Sequence, residues 1–263
     1  MKITHYLYNA FSLISKNLHI AIDPGAELYH LRFNPIIPRE TWPLITHVLV
    51  THADPDHHWY TDRVVEESGA TVICGEGLTQ QHESDRHMLS PRRGGLSFRY
   101  CPPSLKTLGV GQTKNVDGIS ITGVAAKHGP LTFQWGPFRK TFHPGPNERI
   151  GYGAIGFSIE LESRRIINLG DTLQLLDQWT AFQGPDVLMI PIGGDTIGNT
   201  MGISKALEAI KAIKPRTVIP CHYNLPGILK KNGNPTDLKC FSGLVKSLGI
   251  NCCELAFGES IEI

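Results

Sequence analysis

The sequence predicts a mixed α/β chain, on three observations: short apolar runs of strand length, helix-length segments with one apolar face between some of them, and turn residues at the junctions. Its 263 residues, 41% hydrophobic and 19% charged, are enough for a full core and predict one domain, since no repeat or low-complexity linker divides them. Lys and Arg total 25 against 24 Asp and Glu, so a net charge of +1 lacks the basic excess that drives duplex binding. No run approaches the roughly 18 apolar residues of a membrane span, and the first residues lack the basic start, apolar stretch and cleavage site of a signal peptide. Six scattered cysteines without a CxxC pair read as reduced thiols. The expectation is a cytoplasmic protein with a small-molecule partner and no membrane partner, with nucleic acid disfavoured rather than excluded.

Residues 2–22 alternate in period two and read as a hairpin, with Ser15-Lys16-Asn17 as its turn and Asp23-Pro24-Gly25 as its end. HVLVT (47–51) and TVICG (71–75) read as strands around a helix at 61–68 that Gly69 ends. Strands follow at 118–126, at 155–161 with a turn into RIINL, and at 187–192. Residues 203–213 place Ile203, Ala206, Leu207, Ile210 and Ile213 on one helical face, and Pro215 closes that helix before the strand TVIP. A helix at 236–248 and a strand at 252–257 complete the chain. Residues 129–150, with three glycines, four prolines and four large aromatics, read as a long irregular loop insertion.

The chemistry gathers where strands end. After HVLV comes Thr51-His52-Ala53-Asp54-Pro55-Asp56-His57-His58. Residues two apart at a strand's end point the same way, so His52 and Asp54 can share one metal ion while Asp56 and His57, beyond the turn, face a second. His128, Asp171 and His222 each follow a predicted strand, an address that lets loops at one sheet edge bring them together. Imidazole suits zinc, iron and manganese, and carboxylates are harder ligands that can bridge two ions.

This arrangement resembles the metallo-β-lactamase superfamily of dinuclear hydrolases, whose signature is HxHxDH followed by isolated His, Asp and His ligands. Thr200-Met201-Gly202, Lys214-Pro215, Ile219-Pro220, His222-Tyr223-Asn224 and Asp23-Pro24 are similar to the ascorbate-6-phosphate lactonase-like branch. The resemblance implies a four-layer αββα sandwich with the site along one edge of two sheets. It further implies that His52, Asp54 and His128 hold one divalent ion, that Asp56, His57 and His222 hold another, and that Asp171 bridges them. Asp23 would brace the ligand loops, as could His58 if it does not face solvent.

One departure stands out: the motif's second histidine is Asp54, giving HxDxDH. Flavodiiron proteins and some competence-linked nuclease-like domains also carry a carboxylate there. The extra negative charge makes the site harder and less electrophilic, so manganese or iron is expected to compete with zinc. Two ions ~3.5–4 Å apart can lower the pKa of a shared water towards ~7, giving a bridging hydroxide as nucleophile, with Asp56 orienting it and passing its proton to the leaving group.

Trp135, Arg139 and His143 in the 129–150 segment are candidates for a lid with an apolar wall and a basic anchor, and Tyr223 for a substrate contact. Arg86, Arg92 and Arg93 offer another anion patch. The leading reading is a hydrolase of a small anionic ester, lactone or phosphodiester. A nuclease or RNA-processing phosphodiesterase needs a basic groove that the net charge opposes. A diiron redox protein needs an electron donor for which the chain has no room, and a non-catalytic descendant would not be expected to keep a ligand at all seven positions.

Overall fold

Alternating side chains in the first 22 residues produce a three-stranded antiparallel meander of Lys2–His5 (β1), Phe11–Ser15 (β2) and Leu18–Ile22 (β3), one strand more than a hairpin. The structure, a computed structural model, describes residues 1–27, 33–78, 105–144, 150–225 and 234–263. Parallel strands His47–Val50 (β4), Thr71–Gly75 (β5) and Lys106–Leu108 (β6) extend the meander into one sheet. Between them stand the short helix Pro55–His58 (α1) and the helix Thr61–Ser68 (α2), which Gly69 ends at φ +73°.

The second sheet begins with Thr113–Val116 (β7) and Ile119–Ala125 (β8). A hairpin of Leu131–Trp135 (β9) and Phe138–Phe142 (β10) follows and stands apart as its own two-stranded sheet. Ile155–Leu161 (β11), Arg164–Asn168 (β12), Val187–Pro191 (β13), Thr217–Cys221 (β14) and Asn251–Cys252 (β15) complete the second sheet in the order β15-β14-β13-β12-β11-β8-β7. Ser260–Glu262 (β16) then returns to the first sheet beside β1.

Three apolar clusters define four layers. Ile3, Leu13, Ile20 and Leu49 of the first sheet meet Ile121, Phe157, Ile159 and Met189 of the second. On the first sheet's outer face Val48, Val50 and Val72 pack against Val64 and Val65 of α2. On the second sheet's outer face Ile167, Leu188, Ile190 and Val218 pack against two helices, Ile203–Ile213 and Leu238–Ser247. The predicted αββα layering is therefore present, with the parallel pair β3 and β4 ending together in the first sheet and β8, β12, β13 and β14 ending together in the second, at the rim where the antiparallel β11 begins.

Two expectations are corrected. Within the segment 129–150, expected as an irregular loop, residues 131–142 form a hairpin in which Trp135 pairs with Phe138 across Gly136-Pro137, with Gly136 at φ +57°; residues 145–149 lie outside the described residues. A two-residue turn of this kind suits a hairpin, and its flanks are aromatic and β-branched, so local pairing outweighs the high Pro and Gly content. The strand expected at 252–257 stops at Cys252, because Leu255 turns inward between the sheets before β16 begins. The Arg86, Arg92 and Arg93 patch lies outside the described residues, among which no helix is long and apolar enough to cross a membrane.

His5 is fully buried, stacked on Phe11 at 4.7 Å, with ring nitrogens 3.5 and 3.4 Å from the carbonyls of Leu255 and Tyr8. Burial pushes its pKa down from 6.5 to about 4, although both carbonyls favour the cation. The unfolded chain therefore takes up a proton that the folded chain refuses, and the stability held above pH 6.5 is lost as pH falls towards 4. Replacing His5→Leu should make the pH slope of unfolding free energy shallower by up to about 1.4 kcal/mol per pH unit in that window. Urea denaturation at several pH values checks this; an unchanged slope would assign the acid sensitivity elsewhere.

Candidate metal centre

Each candidate ligand sits just past a strand, where the backbone has left the ladder but is still fixed by it. His52 lies two residues beyond β4, and Asp54 caps α1 in extended conformation, with Pro55 at the helix's first position. Asp56 and His57 follow on α1. His128 lies beyond β8, Asp171 beyond β12 and His222 directly after β14. The structure brings all seven together in three overlapping groups: His52, Asp54 and His128; Asp56, His57 and His222; and His52, His57 and Asp171. Within each group one ligand atom per residue lies within 4.8 Å of the others.

The imidazoles are aimed from behind. Asp23 leaves β3 at φ +51°, and its Oδ2 accepts hydrogen bonds from His57 Nδ1 at 2.7 Å, Thr51 Oγ1 at 2.6 Å and Asn9 Nδ2 at 2.7 Å. Its Oδ1 accepts from the Thr51 N–H at 2.8 Å. Since the Thr51 hydroxyl gives its proton to Asp23, it accepts from His52 Nδ1, 3.0 Å away. His128 Nδ1 donates to the Gly129 carbonyl at 2.6 Å. In these three rings Nδ1 carries a proton held by an outer partner and Nε2 faces the cluster, the orientation such a partner imposes on a metal-binding histidine. For His222, Nδ1 lies 3.2 Å from Asn234 Nδ2 and Nε2 lies 2.8 Å from Asp171 Oδ2. A ligating role for this Nε2 needs the Asn234 amide turned end for end, which would also give its buried Oδ1 a partner.

Asp54 is oriented in the same way. Its Oδ1 accepts from the Gly151 N–H at 2.8 Å, leaving Oδ2 at 3.5 Å from His52 Nε2 and 3.6 Å from His128 Nε2. Asp171 Oδ2 lies 3.6 Å from His57 Nε2 and 4.0 Å from His128 Nε2 as well as close to His222. His52 Nε2, His57 Nε2 and Asp171 Oδ1 are buried without a hydrogen-bond partner. Leaving such atoms unsatisfied is costly, and divalent cations coordinated by them would remove that cost, so the donor set fits metal.

The electrostatics agree. Burial opposes the charge of Asp54, but His52, His128 and the Gly151 N–H hold its pKa down at about 2. Burial likewise opposes charge on Asp171, and His222 and His57 keep it well below the usual carboxylate range. His57 is raised well above an ordinary imidazole by Asp56, Asp171 and Asp23 against its burial, and His222 is raised by Asp171 and Asp56. His128 is lowered by burial and by His52.

A cavity of about 520 Å³ opens beside His128, lined by Lys127, Pro130, His143, Gly151 and Leu173 among others, and no described lining residue is acidic. His143 thus stands at the cavity, whereas Arg139 is exposed on β10 and is not part of the lining. Trp135 lies on β9, and its side chain is outside the described residues. His58 is buried on α1 rather than facing solvent, and burial lowers its pKa to about 4 against the attraction of Asp54. Tyr223 packs in the core under the helices, where burial pushes its hydroxyl pKa up. The orienting residues Thr51, Asn9, Gly151 and Asn234 were not singled out from the sequence; only Thr51, inside the motif, carried any signal there.

Gly151 and Gly69 give a matched test of this packing. Both have positive φ, +58° and +73°, but a Cβ on Gly151 would lie 2.1 Å from His128 Cβ, whereas one on Gly69 meets nothing within 4 Å. Gly69→Ala should cost about 1 kcal/mol of stability and leave metal binding intact. Gly151→Ala should cost more and weaken metal binding at least tenfold, by displacing His128 and the Asp54 donor. Thermal unfolding with and without chelator, together with metal titration, distinguishes them; equal metal affinity in the two variants would refute the role given to Gly151.

Comparison with known proteins places this geometry. The family model described as beta-lactamase superfamily domain matches residues 2–222. A UPF0173 metal-dependent hydrolase of Desulforamulus reducens is 30% identical over 244 residues, covering 91% of this chain and 90% of its own length. A UPF0173 metal-dependent hydrolase of Archaeoglobus fulgidus is 30% identical over 268 residues, covering 100% of this chain and 99% of its own. Igni18, a metallo hydrolase from the hyperthermophilic archaeon Ignicoccus hospitalis, shares the fold with a TM-score of 0.67 at 22% identity, over 99% of this chain and 97% of its own. With the family model spanning most of the chain and both curated relatives aligned nearly end to end, the chain belongs to the metallo-β-lactamase superfamily and, within it, to the UPF0173 family of metal-dependent hydrolases.

Proposed function

We propose that the protein is a dinuclear metal-dependent hydrolase acting on a small, anionic ester, lactone or phosphodiester. The observation that carries this reading is the convergence of four imidazoles and three carboxylates, several with buried unsatisfied ligand atoms, beside a cavity whose charged rim is basic. His52, Asp54 and His128 would hold one cation, Asp56, His57 and His222 the other, with Asp171 between them. When bound, such cations supply Lewis acidity and a water acidic enough to act as nucleophile near pH 7.

The chain's own residues supply the rest. Asp56 has the most exposed side chain of the carboxylate ligands, at 16%, against 12% for Asp54 and 1% for Asp171. It is therefore the group that can take a proton from the attacking water and hand it to a leaving group entering from the cavity. Lys127 and His143 orient the substrate's anionic group, and the uncharged remainder of the lining excludes water from the bond to be cleaved. Asp54, an oxygen donor where the motif has nitrogen, favours manganese or iron over zinc in its group. The Thr200-Met201-Gly202 and His222-Tyr223-Asn224 segments, similar to the ascorbate-6-phosphate lactonase-like branch, make lactones the first class to assay.

Elemental mass spectrometry of protein purified without chelator or added metal should find two ions per chain, manganese or iron among them, and Asp54→His should shift the content towards zinc. Absence of bound metal overturns the proposal, and zinc alone in both forms overturns the part assigned to Asp54. Because His57 and His222 are raised above the ordinary imidazole range, binding must displace their protons. Affinity should therefore fall as pH is lowered, with protons released on binding, which calorimetry in buffers of different ionisation enthalpy measures. Lys127→Ala and His143→Ala should raise KM for an anionic substrate found by screening while metal content stays at the parent level; unchanged KM would remove them from substrate recognition.

A further inference from the structure

Beneath the ligand cluster, two fully buried asparagines join the sheets. Asn9 lies in the β1–β2 turn and Asn168 is the last residue of β12, 159 positions away. Asn9 Nδ2 donates to Asn168 Oδ1 at 3.0 Å, and Asn168 Nδ2 donates to Asn9 Oδ1 at 3.0 Å, a closed pair of amide hydrogen bonds. The other proton of Asn9 Nδ2 goes to Asp23 Oδ2 at 2.7 Å, and Asn168 Oδ1 also accepts from the N–H of Gly170 at 2.9 Å, the residue before Asp171. Cys221, next to His222, lies with its Sγ 3.5 Å from Asn9 Oδ1.

We infer that this amide pair sets the spacing between the two halves of the metal site. It ties Asp23, which aims His57 directly and His52 through Thr51, to Gly170, which delivers Asp171. Apolar contact between the sheets is non-directional and tolerates sliding by tenths of an ångström, whereas metal coordination holds distances to about ±0.2 Å. Hydrogen bonds have the sharp distance dependence that bridges this gap. A pair of aliphatic side chains would serve stability at least as well, so two buried amides serve geometry. Asn9 and Asn168 are positioning residues, and the inference rests on the metal-binding reading above.

The test uses the full chain, stripped with chelator and titrated with Mn²⁺ or Co²⁺ alone. Asn9→Ala and Asn168→Ala should each weaken binding 10- to 100-fold and shift the Co²⁺ ligand-field spectrum. The double variant should lose little more than the worse single one, because the pair acts as a unit. Unfolding midpoints in chelator give the folded fraction, and the affinity loss should exceed what that fraction accounts for. If the alanine variants do not fold, Asn168→Asp asks the same question: it keeps an oxygen for both bonds accepted at Oδ1 but sets a second oxygen where Nδ2 donates to Asn9 Oδ1 and to Met189 Sδ, and should weaken binding about tenfold. Parent-like affinity and spectrum in the variants, or single losses that multiply in the double variant, overturn the inference alone. A parent protein that binds neither ion overturns both this inference and the metal-binding reading.

Discussion

The site depends on one buried carboxylate. Asp23 receives four hydrogen bonds, and each charge-assisted bond of this kind contributes roughly 1.5–3 kcal/mol. Those four donors lie on the β4 loop, on α1 and on the β1–β2 turn, so a single charge fixes the direction of three segments. The local sequence allows it: the left-handed backbone at Asp23 turns the side chain inward, and Gly25 leaves space for α1, where a Cβ would lie 1.8 Å from the Asp56 carbonyl. Removing the carboxylate would leave two imidazole N–H groups, one of them through a hydroxyl, without an anchor in a site from which water is largely excluded.

Around that anchor the charges are close to mutual satisfaction. Each of the three candidate carboxylates lies near at least one ring nitrogen of the four imidazoles, and the pKa values of Asp54 and Asp171 fall while those of His57 and His222 rise. His128 departs from this because burial and His52 outweigh the acids beside it. Asp54 belongs to the same pattern. A histidine there could not accept the Gly151 N–H through a second oxygen while still presenting a donor atom to His52 and His128. The carboxylate is thus built into the surrounding backbone rather than merely standing where the motif has an imidazole.

Much of this was legible in the sequence where the physics is local. The helix at 203–213 and the strand at 155–161 show their periodicity plainly, and the structure places them at those residues. The seven candidate ligand positions could be picked out because His and Asp after apolar runs are conspicuous. What stayed hidden is long-range or averaged away. The hairpin at 131–142 was masked by the prolines around it, and β6, β7 and β16 are too short and polar to show a period. His58 looks the same as its neighbour in sequence, and only the turn of α1 buries it. Asn9 and Asn168 read as ordinary turn and strand-end residues, because an amide's partner 159 positions away leaves no trace in either neighbourhood.

The strand β16 has a consequence for how the chain reaches this state. It supplies the outer edge of the first sheet by pairing with β1, and Met1 N donates to the Ile263 carbonyl across 262 positions. During synthesis β1 therefore emerges early with a bare row of amide and carbonyl groups, and its cover is made late. An unprotected edge of that kind is a template for pairing with another nascent chain. Contacts of such high sequence separation also slow folding, because loop closure must precede their reward. The strand that seals the sheet thus makes its completion a late event, and the interval before it is when the chain is most exposed to misassembly and to chaperone capture.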